Sequence, residues 1–292
     1  MKTKSLFILI IGILIYPTLA AGDSESKPQT SVIANIIRNI KVRQTTSDQN
    51  AIEKPASLQF VHSNQSNGDS YSIDLGITYE RFQLGIWALS PTFEYHRNTL
   101  IAKSQNNLQG GIALSTVWGD VANSEFTLIP QFSAKYKYDK FNTNDAMIAK
   151  IDFPMLKPNW AMGVRRGPKL FHLVWLPTAG LQYEWGENIR ATNYSGKLIR
   201  AVGNLEVAFD PFWFEFKKNI EFILRSTYWY NIDRSSILKD AVPVDQHLNY
   251  VGFLLYFDDN EHCGVGIEYS NGENPEQGLA KQETTTISLK LY

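Results

Sequence analysis

Residues Glu125–Asp139 read EFTLIPQFSAKYKYD, and apolar and polar side chains alternate along this stretch. Because successive side chains of a β-strand point to opposite faces, the alternation predicts a strand with one apolar face. That face consists of Phe126, Leu128, Pro130, Phe132, Ala134, Tyr136 and Tyr138. At about 3.3 Å per residue, thirteen residues span roughly 40 Å, so the predicted strand is longer than a bilayer core even if it is strongly tilted.

The same period of two recurs along much of the chain after residue 55. Tyr71–Tyr79, for example, carries apolar residues at odd positions and small or polar residues between them. His247–Phe257 is apolar on both faces, so its orientation is ambiguous, and Pro154–Lys169 interrupts the rhythm. Counting such segments predicts about twelve strands.

The connections between the predicted strands alternate in length. Short turns are expected near Arg81–Gln83, Gly119–Ser124, Asp210–Lys217 and Asp258–Glu261. Longer polar links are expected near Asn64–Ser70, Arg97–Asn107, Lys140–Asp145, Gly186–Gly196, Asp233–Gln246 and Asn271–Gln282. Short turns on one side and long loops on the other are typical of an antiparallel barrel with an even number of strands.

The N-terminus predicts a secretory signal peptide. Lys2 and Lys4 precede the apolar run Leu6–Tyr16, and small residues follow as far as Ala21. This arrangement predicts cleavage after Ala20 or Ala21, and the run is shorter than a membrane-spanning helix. No apolar run of eighteen residues follows it, so a membrane crossing would require a closed barrel. The predicted organisation is a signal peptide at 1–20, an N-terminal segment at 21–55 and a transmembrane β-barrel at 56–292.

The N-terminal segment differs from the rest of the chain. Within Gln29–Thr45, isoleucines recur at helical spacing, and basic residues follow them. The isoleucines are Ile33, Ile36, Ile37 and Ile40, and the basic residues are Arg38, Lys41 and Arg43. We expect a short amphipathic helix on the periplasmic side, near the barrel mouth. A plug inside the lumen or a helix on the membrane surface is the alternative.

Composition excludes several classes of function. Removal of the signal takes two lysines from the 28 basic residues, which leaves 26 against 29 acidic residues. This balance does not favour nucleic-acid binding. The single cysteine, Cys263, cannot form an internal disulfide. The five histidines are scattered without metal-ligand spacing, and no cofactor motif occurs, so neither a metal nor a cofactor is expected.

Together these features resemble a Gram-negative outer-membrane β-barrel protein over Ala56–Tyr292. Aromatic residues stand near the ends of the predicted strands, and the last strand finishes with Tyr292. The aromatic residues are Tyr71, Tyr79, Tyr95, Trp118, Trp185 and Tyr228–Tyr230. The resemblance implies an up-and-down antiparallel barrel in the bacterial outer membrane, with the lipid bilayer as its partner and aromatic girdles at the interfaces.

Three prolines fall inside predicted strands: Pro91, Pro130 and Pro177. Proline lacks the backbone N–H that a ladder needs, so it belongs at strand starts, edges or bulges. Two interpretations remain open. The prolines produce a shared bend in the barrel wall, or each strand begins near its proline.

If the apolar faces meet lipid, the opposite faces line the lumen. The predicted lumen-lining residues are Asp74, Glu80, Glu94, His96, Lys135, Lys137, His172, Glu184, Arg200, Glu206, Glu221, Arg225 and Glu268. These charges either pair across a partly filled interior or form rings that select solutes in a pore. Because both signs occur, no preference for cations or anions follows.

The sequence is consistent with three functions. The first is an outer-membrane channel or passive transporter for small solutes, and the second is a structural or surface-recognition barrel. The third is a hydrolase, because Ser66-Asn67-Gly68 is similar to the second half of the His-x-Ser-Asn-Gly motif of outer-membrane phospholipases. His62, however, precedes Ser66 by four residues, roughly 13 Å along a strand, whereas a base must lie about 3 Å from its nucleophile. We therefore expect no enzyme.

Overall fold

The computed structural model describes residues 39–43, 56–63, 69–79, 82–99, 105–123, 125–140, 143–168, 170–187, 195–213, 219–257, 263–276 and 279–291. The strands in these ranges are β1 Ile40–Arg43, β2 Ala56–Ser63, β3 Asp69–Tyr79, β4 Phe82–Leu84, β5 Trp87–Asn98, β6 Gln105–Ser115, β7 Thr127–Leu128, β8 Gln131–Asp139, β9 Asn144–Leu156, β10 Phe171–Glu187, β11 Gly196–Pro211, β12 Ile220–Arg234, β13 Asp245–Tyr256, β14 Cys263–Asn274 and β15 Leu279–Leu291. Single 3-10 turns lie at Pro158–Trp160 and Ser236–Leu238. Within those ranges, no helix has the length and the apolar character that a membrane crossing requires.

The strands form a closed antiparallel ring. Its order is β3-β2-β15-β14-β13-β12-β11-β10-β9-β8-β6-β5, and β5 pairs again with β3 through Ser72↔Asn98 to Thr78↔Thr92. Of the fifteen strands in the described ranges, β1, β4 and β7 lie outside this ring, which therefore has twelve members. The predicted up-and-down barrel of about twelve strands is confirmed. Because a closed ring leaves no unpaired edge, it satisfies the backbone without water.

The two faces of the barrel wall have opposite character, and β12 shows this clearly. Phe222 and Leu224 are exposed on the outside, whereas Glu221 and Asn231 are buried. In a water-soluble protein large apolar side chains are usually buried and charged ones exposed. In this barrel the arrangement is reversed, and the outer and inner faces are those predicted from the alternation. Such a wall suits a barrel with lipid outside and polar groups inside.

The stretch Glu125–Asp139 behaves as one strand with an irregular point. β7 and β8 pair with β9 in a single register, since Leu128 faces Met155 and Gln131 faces Asp152. Between the two strands, the backbone N–H of Ile129 donates to the Pro154 carbonyl at 3.0 Å. On the other edge the ladder with β6 continues to a bridge between Trp118 and Leu128. This bridge confirms the predicted turn at Gly119–Ser124.

Each of the three prolines lies where a ladder changes. Pro91 is inside β5, between the residues that pair with β4 and those that pair with β3. Pro177 is inside β10, directly before Thr178, where pairing with β9 begins. Pro130 directly precedes β8. Pro130 therefore marks the irregular point between β7 and β8, whereas the other two prolines occupy interior positions at which a missing N–H is tolerated.

The predicted N-terminal helix is wrong for Ile40–Arg43, which form β1. Ile40 pairs with Tyr79 and Arg43 with Gly76, on the same edge of β3 that β2 uses further along. β1 pairs with the part of the β3 edge that β2 does not use. This pairing outweighs the helical propensity that the isoleucine spacing indicated, because local propensity is weak compared with tertiary contacts. The rest of the predicted helix, the signal peptide and Tyr292 lie outside the described residues.

The interruption at Pro154–Lys169 contributes no additional strand to the ring. Beyond β9 the chain turns back through a bridge between Lys157 and Met162, and Arg166 then bridges to Leu173 of β10. The connection is longer than the short turns predicted for this end of the barrel. It brings Arg165 against side chains of the inner wall.

Candidate functional site

Most of the predicted lumen-lining residues are buried on the inner face of the wall. Those with at most 9% exposure are Glu94, His96, Lys135, Lys137, Glu184, Arg200, Glu206, Glu221 and Glu268. Asp74 and Arg225 are partly buried. Glu80 lies outside the described residues. Burial of so many charges requires partners, because an isolated charge away from water is costly.

One chain of contacts joins β3, β5 and β8. His96 is fully buried, with Nδ1 at 2.8 Å from Asp74 Oδ1 and Nε2 at 3.2 Å from Glu94 Oε2. Lys135 Nζ donates to the other oxygen of Glu94 at 2.9 Å. An imidazole between two carboxylates suits the doubly protonated form, in which both ring nitrogens donate. The cluster therefore links β3 and β5 to β8, across the intervening β6, through charge-assisted hydrogen bonds.

A second chain of contacts joins β8, β10, β11 and β12. Lys137 Nζ donates to Glu184 Oε1 at 2.8 Å, and Arg200 Nη1 donates to Glu184 Oε2 at 2.6 Å. Arg200 Nε also donates to Asn231 Oδ1 at 3.0 Å. Glu184 thus receives one cation on each oxygen, which is the arrangement that a buried carboxylate needs.

Glu206, Glu221 and Arg225 form smaller groups nearer the end of the barrel at which β2 begins. Arg225 Nη2 donates to Glu206 Oε2 at 2.8 Å. Arg165, which the sequence did not single out, pairs with Glu221 at 2.6 Å and with the fully buried Asp210. His172 joins none of these pairs in the described structure, and its ring stacks on Trp213 with centroids 3.8 Å apart.

Three residues that the sequence analysis missed lie at the centre of the interior. Lys150 Nζ is 3.2 Å from Asp152 Oδ2 and 3.0 Å from Glu276 Oε1. Lys150 and Asp152 are on β9, whose alternation is weak because Ala146 and Ile148 share their inward face. Glu276 is in the connection between β14 and β15, where no periodicity exists that could have indicated an inward position.

Glu276 is held inside the barrel by residues from several strands. Trp229 Nε1 donates to Glu276 Oε1 at 3.2 Å. Gln182, oriented to satisfy both of its neighbours, donates to the same oxygen at 3.2 Å and accepts from Arg200 Nη1 at 2.8 Å. Gln109 Nε2 donates to the Glu276 carbonyl at 3.0 Å. Pro275 and Glu276 of this connection therefore contact the inner side of the wall.

Electrostatics keep Glu276 ionised. Burial alone would raise the pKa of this carboxyl, but the attraction and hydrogen bond of Lys150 outweigh burial, so the pKa lies below its usual value of 4.5. Lys135 and the Trp229 indole contribute in the same direction. The carboxylate is therefore a fixed negative charge in the interior at neutral pH.

A small polar cavity of about 20 Å³ lies beside Glu276, enough for roughly one water molecule. Its polar lining consists of Gln109, Gln131, Ser133, Lys135, Lys150, Asp152 and Glu276. Two other parts of the interior are apolar. One is a cluster of Leu156, Val174, Leu176, Ala208, Ile223, Leu254 and Tyr256, and the other is a contact of Leu238 and Val242 with Leu198. The described interior thus contains apolar contacts as well as charged groups.

In the part of the chain that the structure describes, no group of three or more His, Cys, Asp and Glu side chains is arranged to hold a metal ion. The described ion pairs join carboxylates to Lys, Arg and His side chains.

Comparisons with known proteins identify the fold. No protein-family model matches the sequence, and no curated protein sequence matches it. An active-site mutant of outer membrane phospholipase A from Escherichia coli superposes with a TM-score of 0.51 at 10% identity, covering 90% of this chain and 99% of that one. The phospholipase of Salmonella typhi, a dimer with bound calcium, gives 0.50 at 12% identity, covering 88% of this chain and 97% of that one. The NanC porin superposes with a TM-score of 0.46 at 8% identity, covering 81% of this chain and 99% of that one. The fold is that of outer-membrane β-barrel proteins.

Proposed function

We propose that the protein is a narrow outer-membrane channel that passes small solutes through the charged interior of its barrel. The observation that carries this proposal is the closed twelve-strand ring with an apolar outer face and a buried polar inner face. Such a wall separates lipid from a polar interior, which is the arrangement that a passive channel requires.

In this proposal the predicted lumen-lining residues border the path. The two chains of contacts leave few charges unbalanced, since Glu94 faces Lys135 and Glu184 faces Lys137 and Arg200. A path lined by paired charges offers hydrogen bonds to polar solutes without strongly attracting ions of one sign. The cavity beside Glu276, of about 20 Å³, has room for roughly one water molecule, so the proposed solutes are small.

Conductance across a planar lipid bilayer tests the proposal, and β8 offers a matched pair of variants. Ser133 lies on the inner face and lines the cavity, whereas the adjacent Ala134 is exposed on the outer face. We expect the wild-type protein to conduct and Ser133→Trp to lower its conductance, because the indole fills the path. Ala134→Trp should conduct like the wild type, because its indole meets lipid.

A folded wild-type barrel without conductance would contradict the proposal. Folding is checked independently, because folded outer-membrane barrels often migrate differently on a gel until they are boiled. A silent but folded barrel would favour the structural or surface-recognition function that the sequence also permits.

A membrane-embedded hydrolase is the second candidate, favoured by the fold shared with the phospholipases. Fold does not carry function, so the candidate depends on the site. His62 lies in β2, opposite Thr285 of β15, while Ser66 is outside the described residues. Release of fatty acid from phospholipid vesicles, abolished by Ser66→Ala, would support hydrolysis, and equal background release from both proteins would exclude Ser66 as the nucleophile.

A further inference from the structure

The connection between β14 and β15 places a carboxylate at a site that other strands of the wall have built. Glu276 Oε1 accepts from Lys150 Nζ of β9, Trp229 Nε1 of β12 and Gln182 Nε2 of β10, all within 3.2 Å. The adjacent backbone is held as well, since Lys137 Nζ lies 3.4 Å from the Pro275 carbonyl oxygen. Four wall strands thus converge on two residues of one connection.

The three donors form a complete receptor for one carboxylate oxygen. One donor is an ammonium group, one is an indole N–H, and one is an amide. All three belong to strands of the ring, so their positions are set by the barrel ladder and not by the connection that they hold. A receptor built on rigid strands persists when its occupant leaves.

The charge balance around this receptor indicates what it would accept. The cations of the central interior are Lys135, Lys137, Lys150 and Arg200, and the wall carboxylates that contact them are Glu94, Glu184 and Asp152. Among the described ion pairs of these cations, the fourth carboxylate is Glu276 from the connection. Withdrawal of Glu276 takes from Lys150 one of the two carboxylates that contact it, and a buried cation that loses a partner attracts an anion.

We propose that the wall site occupied by Glu276 is a binding site for the carboxylate group of a small organic anion, with Glu276 as an internal occupant that such an anion displaces. The role of this exchange in passage through the barrel depends on the proposed channel function, whereas the binding itself does not. Exchange of one carboxylate for another keeps the three hydrogen bonds and the charge balance. A neutral molecule of the same size would leave Lys150 without a counter-charge beyond Asp152.

Calorimetric titration of the detergent-folded protein with sodium acetate tests the site directly. In Glu276→Ala the receptor is empty, so acetate should bind about tenfold more tightly than it binds the wild type, a ratio that corresponds to about 1.4 kcal/mol. Acetamide, which is neutral and of similar size, should show no such gain. Glu283→Ala is the matched control, because it removes a carboxylate from the same hairpin, on β15 opposite Asn271. This control should bind acetate like the wild type.

Equal acetate affinity in Glu276→Ala and the wild type would overturn the proposal, as would an equal gain for acetamide. If Glu276→Ala does not fold, Glu276→Gln replaces it, and acetate should then bind more tightly than in the wild type because the displaced group is neutral. No gain in that folded variant would also overturn the proposal. A bilayer without conductance combined with a gain in acetate binding would refute the channel and leave the site intact. Conductance without any gain in acetate binding would support the channel and refute the binding site.

Discussion

Arg200 is a fully buried charged side chain, and its two main contacts are on different strands. Its guanidinium donates to Glu184 and to Asn231. A buried charge of this kind adds little net stability when its partners are present, but removal of one partner leaves the other uncompensated. The residue therefore acts chiefly by making the burial of Glu184 possible.

We predict that Arg200→Met lowers the free energy of unfolding by about 3 kcal/mol, because Glu184 then keeps Lys137 as its cation but loses the guanidinium. Urea unfolding in lipid vesicles, followed by intrinsic fluorescence, measures the change. Lys197→Met on the same strand is the control. The Lys197 side chain is 54% exposed and its Nζ lies 3.9 Å from Asp233, so its loss should cost less than about 1 kcal/mol. Similar losses in both variants would contradict the buried network.

Protonation of Glu276 at acidic pH should weaken the contacts that hold this residue against the inner side of the wall. Its pKa is lower in the folded state, so its ionisation stabilises the folded contacts above the usual pKa, and this contribution is lost as the pH falls through the lowered value. The titratable groups that face it are Lys150, Lys135 and Asp152. We predict that conductance stays constant from neutral pH to about pH 5 and rises below the usual glutamate pKa of 4.5, as the connection is released.

The control for this pH dependence is Glu276→Gln, which cannot titrate at this position. Its conductance should already be raised at neutral pH, and it should change less on acidification than that of the wild type. An identical acid response in both proteins would assign the effect to other carboxylates.

Strand β6 contains a pair of adjacent glycines in unequal surroundings. A Cβ on the inward Gly111 would lie 2.1 Å from the Ala134 carbonyl oxygen and 2.7 Å from Lys135 Cα, both backbone atoms of β8. A Cβ on Gly110 would meet no atom within 4 Å. Backbone atoms in a ladder cannot move aside without disturbing the ring, so only one of the two glycines is required by close packing.

We predict that Gly111→Ala destabilises the barrel by about 1–3 kcal/mol, whereas Gly110→Ala changes stability by less than about 1 kcal/mol. The variants are compared by the urea concentration at which half of the protein is unfolded. The folded fraction is read from the gel mobility of unboiled samples. Equal midpoints would show that β6 and β8 lie further apart than described.

The outer surface of the barrel is organised as a band between two aromatic rims. Phe171, Phe209, Phe222 and Phe253 contact one another in a row across four strands near one end. Exposed tyrosine and tryptophan side chains lie toward the other end of two of these strands, at Tyr183 and Trp185 of β10 and at Tyr228 and Tyr230 of β12. Aromatic girdles at both interfaces are typical of barrels in outer membranes.

A charge placed in the middle of this band tests its contact with lipid. Leu205 is 43% exposed on β11, between Pro177 and Ser226 on the neighbouring strands. We predict that Leu205→Arg lowers stability in lipid vesicles by about 2–4 kcal/mol, since lipid cannot solvate the guanidinium. Val244→Arg, at an exposed position in the connection between β12 and β13, should have little effect. Equal tolerance of both substitutions would contradict a lipid-facing band.

The number of strands and the two faces of the wall followed from the sequence. A period of two is a local signal, and it survives at Glu125–Asp139 even though Pro130 interrupts the strand there. The inward positions of Glu94, Lys135, Lys137, Glu184 and Arg200 were predicted from the same signal and agree with their burial. Periodicity assigns a residue to a face, but it does not identify the partner that it meets across the interior.

The tertiary structure decided the rest. Ile40–Arg43 became a strand because β2 leaves part of the β3 edge open, and Arg165 and Glu276 entered the interior from connections whose sequences carry no period. The apolar contacts inside the barrel likewise involve residues from five strands. Alternation is encoded by neighbouring residues and can be read along the chain. The contacts across the interior join residues as distant in sequence as Gln109 and Glu276 or Lys137 and Pro275, and only the closed ring brings them together.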